Sequence, residues 1–142
     1  MWITFRDSPF LDRYNSKPHH MPKVSVILPA RNEEMFIEKC INSLLEQDYQ
    51  NYEIIAIDDM SDDNTGELIK KIARKNSKVI HVQAGPKPEK WIGKNWACIE
   101  GFKRSSGELL LFTDADTIHT SKTISLSVDH LLSEGLDSLT VI

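Results

Sequence analysis

Four short runs of β-branched and large apolar residues recur along the chain, and each predicts a β-strand. They cover residues 23–29, 53–57, 78–83 and 108–113. Between them, apolar residues recur at spacings of three and four, which predicts amphipathic helices. The first helix is predicted to follow a cap at Asn32, and its expected buried stripe is Phe36, Ile37, Cys40, Ile41, Leu44 and Leu45.

Three further helices complete the pattern. The second follows residues 61–65, the third covers 91–103, and the fourth runs from a cap at Thr120 or Ser121 to Gly135. Four alternations of strand and helix favour an α/β fold, a mostly parallel sheet with helices on both faces. A fifth strand is expected to start at residue 138, so we expect the chain to be truncated. We place one domain over residues 23–142 after an extended lead-in over 1–22.

Composition narrows the functional classes. The 142 residues are 40% hydrophobic and 27% charged, as in ordinary soluble domains, and the formal net charge is −4. This acidity argues against nucleic acid as a partner. No apolar run approaches the ~18 residues that a membrane-spanning helix needs. Cys40 and Cys98 form no motif, and we expect both to be small core residues on helices.

The strongest chemical signal is the run Leu109–Phe112 followed by Asp114 and Asp116. We expect the run to form a buried strand. Because alternate residues of an extended chain point the same way, both carboxylates can face one point beyond the strand. Oxygen ligands so placed suit a divalent cation that bridges to phosphates. The alternative is a polar turn that caps a helix, a frequent role of aspartate.

Other strands of the predicted sheet also end in polar residues. Arg31 and Glu33 follow the first strand, Asp58 and Asp59 follow the second, and the loop after the third leads to Lys94. The carboxyl ends of parallel strands share one edge, where ligands bind in open α/β sheets. The chain has neither Gly-x-Gly-x-x-Gly nor Gly-x-x-x-x-Gly-Lys-[Ser/Thr], which disfavours a dinucleotide dehydrogenase and a P-loop NTPase. Carboxylates, one lysine and one arginine fit a nucleotide-diphosphate ligand.

Several of these residues also have a purely structural explanation. Asp58 and Asp59 are also explained by turn chemistry, and Glu33 by the helix dipole. Lys94 is also explained as a solvated helix residue. Trp91 and Trp96 are expected in the core.

Four segments together resemble the family 2 glycosyltransferases, which have the Rossmann-like GT-A fold. They are VSVILPARNEE (24–34), IAIDDMSDDNT (55–65), GKNWACIEG (93–101) and SGELLLFTDAD (106–116). The order and spacing match the family over residues 23–135. Residues 90–97 are similar to members that glycosylate lipids, which implies a lipid or glycan acceptor and association with a membrane surface through a longer parent, at its cytoplasmic face.

The resemblance also implies site roles. Asp116 would hold Mg²⁺ or Mn²⁺ on the diphosphate of the donor, and Asp114 would reach the ribose or the metal. Asp59 would be the polar partner of the base, and Lys94 would contact the diphosphate. The full set of residues expected around a UDP- or GDP-sugar is Pro29, Arg31, Glu33, Ile57, Asp59, Lys94, Asp114, Ala115 and Asp116.

The acceptor half of the family pattern has no counterpart after Asp116. The catalytic base is therefore expected beyond Ile142, and Asp129 and Glu134 are expected on the surface of the fourth helix. Ile99 departs from the family, in which many members have asparagine. Three functions stay open: an inverting, metal-dependent glycosyltransferase, a truncated non-catalytic nucleotide-binding module, and a sugar nucleotidyltransferase. The last usually has a Gly-rich basic loop where this chain has residues 30–34.

Overall fold

The computed structural model of the protein describes residues 21–140, which form a parallel sheet between layers of helices. All but the last two residues of the predicted lead-in lie outside the described residues. The strands are β1 (Val24–Ala30), β2 (Tyr52–Asp58), β3 (Val79–Gln83) and β4 (Leu109–Phe112). The helices are α1 (Ile37–Leu45), α2 (Thr65–Ala73), α3 (Gly93–Phe102) and α4 (Thr123–Ser133).

The strand order is β3-β2-β1-β4, and every pairing is parallel. Both faces of the sheet are covered, as predicted. On one face Val26 and Leu28 pack with α1, α2 and α4. On the other, Ile27 and Ile55 pack against Ala97 of α3. Burial of β1 and β2 on both faces explains their continuous apolar sequence, because each face must meet a helix layer.

The order in which successive strands are added to the sheet reverses at β1. It steps from β1 to β2 and β3, and then crosses by α3 to place β4 on the other side of β1. This leaves a crevice between the carboxyl ends of β1 and β4, the place where doubly wound sheets bind ligands. The topology therefore marks one location for a site before any side chain is considered.

The prediction that the last apolar strand is buried was wrong on one face. Leu109 and Leu111 pack on the core, whereas Leu110 is 37% and Phe112 is 54% exposed. The physical reason is that α3, which covers this face of the sheet, packs over β1 and β2 and does not reach β4, the edge strand of the described sheet. A continuous apolar run predicts a strand but cannot say how many neighbours it has.

The predicted start of the first helix was also wrong. Asn32 has a left-handed backbone with φ of 55°, and α1 begins five residues later. Phe36, expected in the buried stripe, is the residue before the helix and is 49% exposed. Glu33 and Glu34 therefore lie in a turn and not in the first turn of a helix. The apolar spacing predicted too early a start because Phe36, which lies in the turn before α1, fits the same spacing as the buried residues of the helix.

Three other expectations fail. Residues 138–140 form no strand, and residues 141–142 lie outside the described residues. Asp129, expected on the surface, is only 5% exposed, because α4 packs on the core through Ile124 and Val128 and the adjacent Asp129 is buried with them. Trp91, expected in the core, is 40% exposed because it precedes α3. Among the helices described, none is both long enough and apolar enough to cross a membrane.

Candidate functional site

An open cavity of about 330 Å³ lies at the carboxyl ends of β1 and β4, at the crevice that the strand order creates. Its walls come from the loop after β1, the end of β2, the start of α3 and the loop after β4. Its volume lies in the range of small-molecule sites. The lining residues are Pro29, Ala30, Arg31, Glu33, Asp59, Gly93, Lys94, Ala97, Asp114, Ala115 and Asp116.

The structure brings together eight of the nine residues singled out from the sequence. The exception is Ile57, whose side chain is completely buried and packs with Ile27 against the α3 side of the sheet. Three lining residues were missed, namely Ala30, Gly93 and Ala97. The last two stand in the same GKNWA segment that carried the resemblance, so the signal for them was present.

The two carboxylates after β4 lie on one wall of the cavity. Asp114 and Asp116 are exposed, whereas Ala115 between them is buried at 4% exposure. Lys94 comes from the first turn of α3, and its Nζ donates a hydrogen bond to Oδ1 of Asp114. Both aspartates therefore reach the cavity wall, but not through an extended chain: residues 115–116 lie in a turn, in which the backbone N–H of Thr117 donates to the carbonyl oxygen of Asp114 at 3.2 Å.

A buried thiol lies beneath this wall. Cys40 of α1 is fully buried, and its Sγ donates a 3.6 Å hydrogen bond to the backbone oxygen of Asp114. Burial, reinforced by the nearby charge of Asp116, raises the pKa of the Cys40 thiol to about 12. The thiol is therefore neutral at pH 7, and it serves as packing and as a weak donor that supports the loop.

A second contact holds the same loop at its far end. Thr113 Oγ1 and His119 Nε2 are 2.9 Å apart, and the backbone N–H of His119 donates to Ser43 Oγ of α1 at 3.0 Å. Burial lowers the pKa of His119, which favours the neutral imidazole. Together with Cys40, these contacts hold the Asp114–Asp116 segment at fixed points on either side of it.

The two adjacent aspartates after β2 have different roles. Asp58 Oδ1 accepts the backbone N–H of Ser61 at 3.0 Å, so this residue makes the turn that the alternative interpretation expected. Asp59 is 7% exposed, and its carboxylate lines the cavity. A Cβ on Gly93 would lie 3.1 Å from Asp59 Oδ2, so glycine at the first position of α3 lets that helix start against the carboxylate.

Hydrogen bonds join the loop after β1 to the loop before α2, and we call this set the loop clamp (residues 32–34 with 61–65). Asp63 is central to it: its carboxylate accepts the backbone N–H groups of Glu34 at 3.1 Å and Thr65 at 2.9 Å. Despite some desolvation, these bonds and the Thr65 hydroxyl lower the pKa of Asp63. The other clamp bonds run between Asn32 and Ser61, Asp62 and Asn32, Glu33 and Thr65, and Asn64 and Glu34. The clamp fixes the segment that carries Arg31 and Glu33 relative to Asp59.

Comparison with known proteins identifies the family to which this chain belongs. The sequence model of glycosyl transferase family 2 matches residues 25–141, more than half of the chain. The chain belongs to glycosyltransferase family 2. It is 35% identical over 115 residues to the 4,4'-diaponeurosporenoate glycosyltransferase of Staphylococcus haemolyticus, covering 81% of this chain and 28% of that protein.

Two further comparisons bear on the site. The chain is 31% identical over 119 residues to the GalNAc(5)-diNAcBac-PP-undecaprenol beta-1,3-glucosyltransferase of Campylobacter jejuni, covering 84% of this chain and 34% of that protein. It superimposes with a TM-score of 0.68 and 26% identity on the mannosyltransferase PcManGT of Pyrobaculum calidifontis, solved in complex with GDP-Man and Mn²⁺, covering 85% of this chain and 37% of that one. The GT-A fold expected from the sequence is thereby confirmed. The chain spans about a third of the length of these relatives.

Proposed function

We propose that the cavity binds the nucleotide-diphosphate sugar of a glycosyltransferase. The observation that carries the proposal is the convergence, at one switch point of the sheet, of two carboxylates, a lysine at a helix N-terminus and an arginine. A donor of this kind has a base and ribose that offer hydrogen bonds and a diphosphate that needs positive charge. The GDP-Man complex of PcManGT supports the same ligand class.

A divalent cation, Mg²⁺ or Mn²⁺, fits the donor set on the cavity wall. Asp114 and Asp116 offer oxygen ligands, which these cations prefer. Within the described part of the chain, no group of three or more His, Cys, Asp or Glu side chains is placed to hold a metal ion. The protein would thus supply the two aspartates and leave the remaining positions to diphosphate oxygens and water. When bound, the cation would stabilise the charge that develops on the leaving diphosphate.

The chain's own residues would bind and orient the donor. α3 begins at the cavity with no side-chain cap on its first N–H groups, so its N-terminus and Lys94 offer positive charge to the diphosphate. Asp59, buried beside Gly93, would accept a hydrogen bond from the base. Ile57 stays a predicted base contact, although its side chain lies outside the cavity. Arg31 and Glu33 would approach the nucleotide from the segment that the loop clamp holds.

In the transfer reaction, an acceptor hydroxyl would attack the anomeric carbon of the sugar, the bond to the diphosphate would break, and the nucleoside diphosphate would leave. Inversion at that carbon is what the family resemblance implies. A base must take the hydroxyl proton, and we assign none among residues 21–140. The names of the relatives support a lipid or glycan acceptor. Location at the cytoplasmic face of a membrane stays a proposal.

A second candidate is a nucleotide-binding module without transfer activity. It requires only the donor cavity, and residues 21–140 contain that cavity but no residue to which we assign the role of base. Both candidates share the donor cavity. They differ in whether sugar is transferred to an acceptor, so donor binding is the property to test first.

The test is calorimetric titration of UDP and GDP into the chain with and without Mn²⁺. We expect Mn²⁺-dependent binding of one nucleotide, loss of that binding in Asp116→Asn, and retention in Asp48→Asn. Asp48 is an exposed aspartate between α1 and β2, at the opposite end of the sheet, so it controls for a general effect of charge. A chain that unfolds cooperatively yet binds neither nucleotide would overturn the proposal.

A further inference from the structure

The ion pair between Lys94 and Asp114 crosses the wall where the cation is proposed to bind. Lys94 belongs to the first turn of α3 and Asp114 to the loop after β4, so the pair joins two separate elements. Both side chains are well exposed, at 60% and 59%. An exposed pair of this kind is weak and opens readily.

The ammonium group and a divalent cation compete for the same carboxylate. Asp114 Oδ1 already accepts a hydrogen bond from Lys94 Nζ. A cation bound to that carboxylate would lie a few ångströms from the ammonium, and like charges at that distance repel even in water. Lys94 must therefore leave Asp114 when the cation binds. Its four-carbon stem is flexible, and its position at the start of α3 keeps the ammonium beside the cavity.

We propose that Lys94 is an exchangeable counter-ion of the donor site. It neutralises Asp114 in the empty cavity, yields that carboxylate to the divalent cation, and then pairs with the diphosphate that arrives with it. The inference rests on the proposed function. It assigns Lys94 two successive partners, and it makes cation and nucleotide binding mutually dependent, because the diphosphate supplies the partner that the displaced lysine has lost.

This exchange predicts opposite effects of one substitution. In Lys94→Gln, Mn²⁺ alone should bind about three- to tenfold more tightly, because a competing positive charge is gone. The nucleoside diphosphate, titrated at saturating Mn²⁺, should bind about tenfold or more weakly, because a charge-assisted hydrogen bond is lost. A lysine that only contacts the diphosphate would not change the affinity for Mn²⁺ alone.

The matched control is Lys103→Gln. Lys103 directly follows α3, at the end opposite Lys94. It pairs with Glu100 at 2.6 Å and is 56% exposed, but it does not line the cavity. Its substitution should change neither affinity. Mn²⁺ binding is measured by the paramagnetic resonance of the free ion and nucleotide binding by calorimetry, with the fold of each variant checked by circular dichroism.

A second measurement uses the unaltered chain. The affinity for Mn²⁺ should rise in the presence of UDP or GDP, and the rise should be several-fold larger than in Lys94→Gln, because direct contact between cation and diphosphate acts in both chains whereas the diphosphate receives Lys94 only in the unaltered one. If Lys94→Gln leaves the affinity for Mn²⁺ unchanged or weakens it while the unaltered chain still binds nucleotide with Mn²⁺, the exchange is wrong and the donor site stands. If the folded, unaltered chain binds no nucleotide, both proposals fail.

Discussion

Substitution of Glu53 by glutamine should destabilise the fold strongly at neutral pH and less at acid pH. Glu53 lies on β2 near the amino end of the sheet and is 8% exposed. Its carboxylate accepts hydrogen bonds from Lys23 Nζ at 2.6 Å, Ser25 Oγ at 2.7 Å and the backbone N–H of Ser106 at 2.8 Å. The carboxylate thereby joins β1, β2 and the loop before β4.

The magnitude follows from the pKa of Glu53. Burial alone would raise it, but the hydrogen bonds from Lys23, Ser25 and Ser106 outweigh burial and lower the pKa from 4.5 to about 2. The fall from 4.5 to about 2, at about 1.4 kcal/mol per pKa unit, corresponds to about 3.5 kcal/mol of stability. Because the folded pKa is depressed, this stabilisation is present above pH 4.5 and is lost as the pH falls toward 2.

The assay is urea unfolding of the unaltered chain and of Glu53→Gln. The difference in free energy of unfolding should be about 3.5 kcal/mol at pH 7 and about 2 kcal/mol at pH 3.5, where part of the stabilisation by the ionised carboxylate is gone. Glu67→Gln is the control, since Glu67 pairs with Lys70 on the surface of α2 and should leave the unfolding midpoint unchanged. A difference below ~0.5 kcal/mol at pH 7, or one that does not shrink at acid pH, would refute the reasoning.

Three other predictions test packing, the thiols and the loop clamp. Gly107→Ala should cost about 1–3 kcal/mol in urea unfolding, because its Cβ would lie 2.5 Å from the backbone nitrogen of Ser25; an unchanged midpoint would contradict this. A thiol reagent at pH 8 should label Cys98 slowly and Cys40 only in urea, because burial raises the pKa of both thiols and Cys40 is fully buried. Mass spectrometry of the peptides measures the labelling, and equal labelling of both cysteines in the folded chain would contradict this. Asp63→Ala should weaken nucleotide binding at saturating Mn²⁺ about tenfold and leave the affinity for Mn²⁺ alone unchanged, because the loop clamp holds the side of the cavity where the nucleotide base is proposed to bind. Equal nucleotide affinity in calorimetry would exclude that role.

Local pattern predicted most of the fold and most of the cavity. Eight of the nine predicted elements exist, all described strands are parallel, and eight of nine expected site residues line one cavity. The wrong predictions concern residues whose burial depends on which other strands and helices pack against them. Leu110 and Phe112 have the sequence of a buried strand but lie on an edge strand, and Asp129 has the sequence of a surface residue but lies on the buried side of α4.

The sequence by itself determined the alternation of strands and helices, because hydrophobic spacing follows from the periodicity of each element. It also placed Asp114 and Asp116 directly after the last strand, whereas the tertiary structure decided that they lie in a turn that brings both to the cavity. Only the tertiary structure decided that Lys94 pairs with Asp114, twenty residues away in sequence, and that Cys40 supports it from below. Such partners depend on the order in which strands pack across the sheet, and that order is set by the energies of the whole assembled core and not by any local spacing.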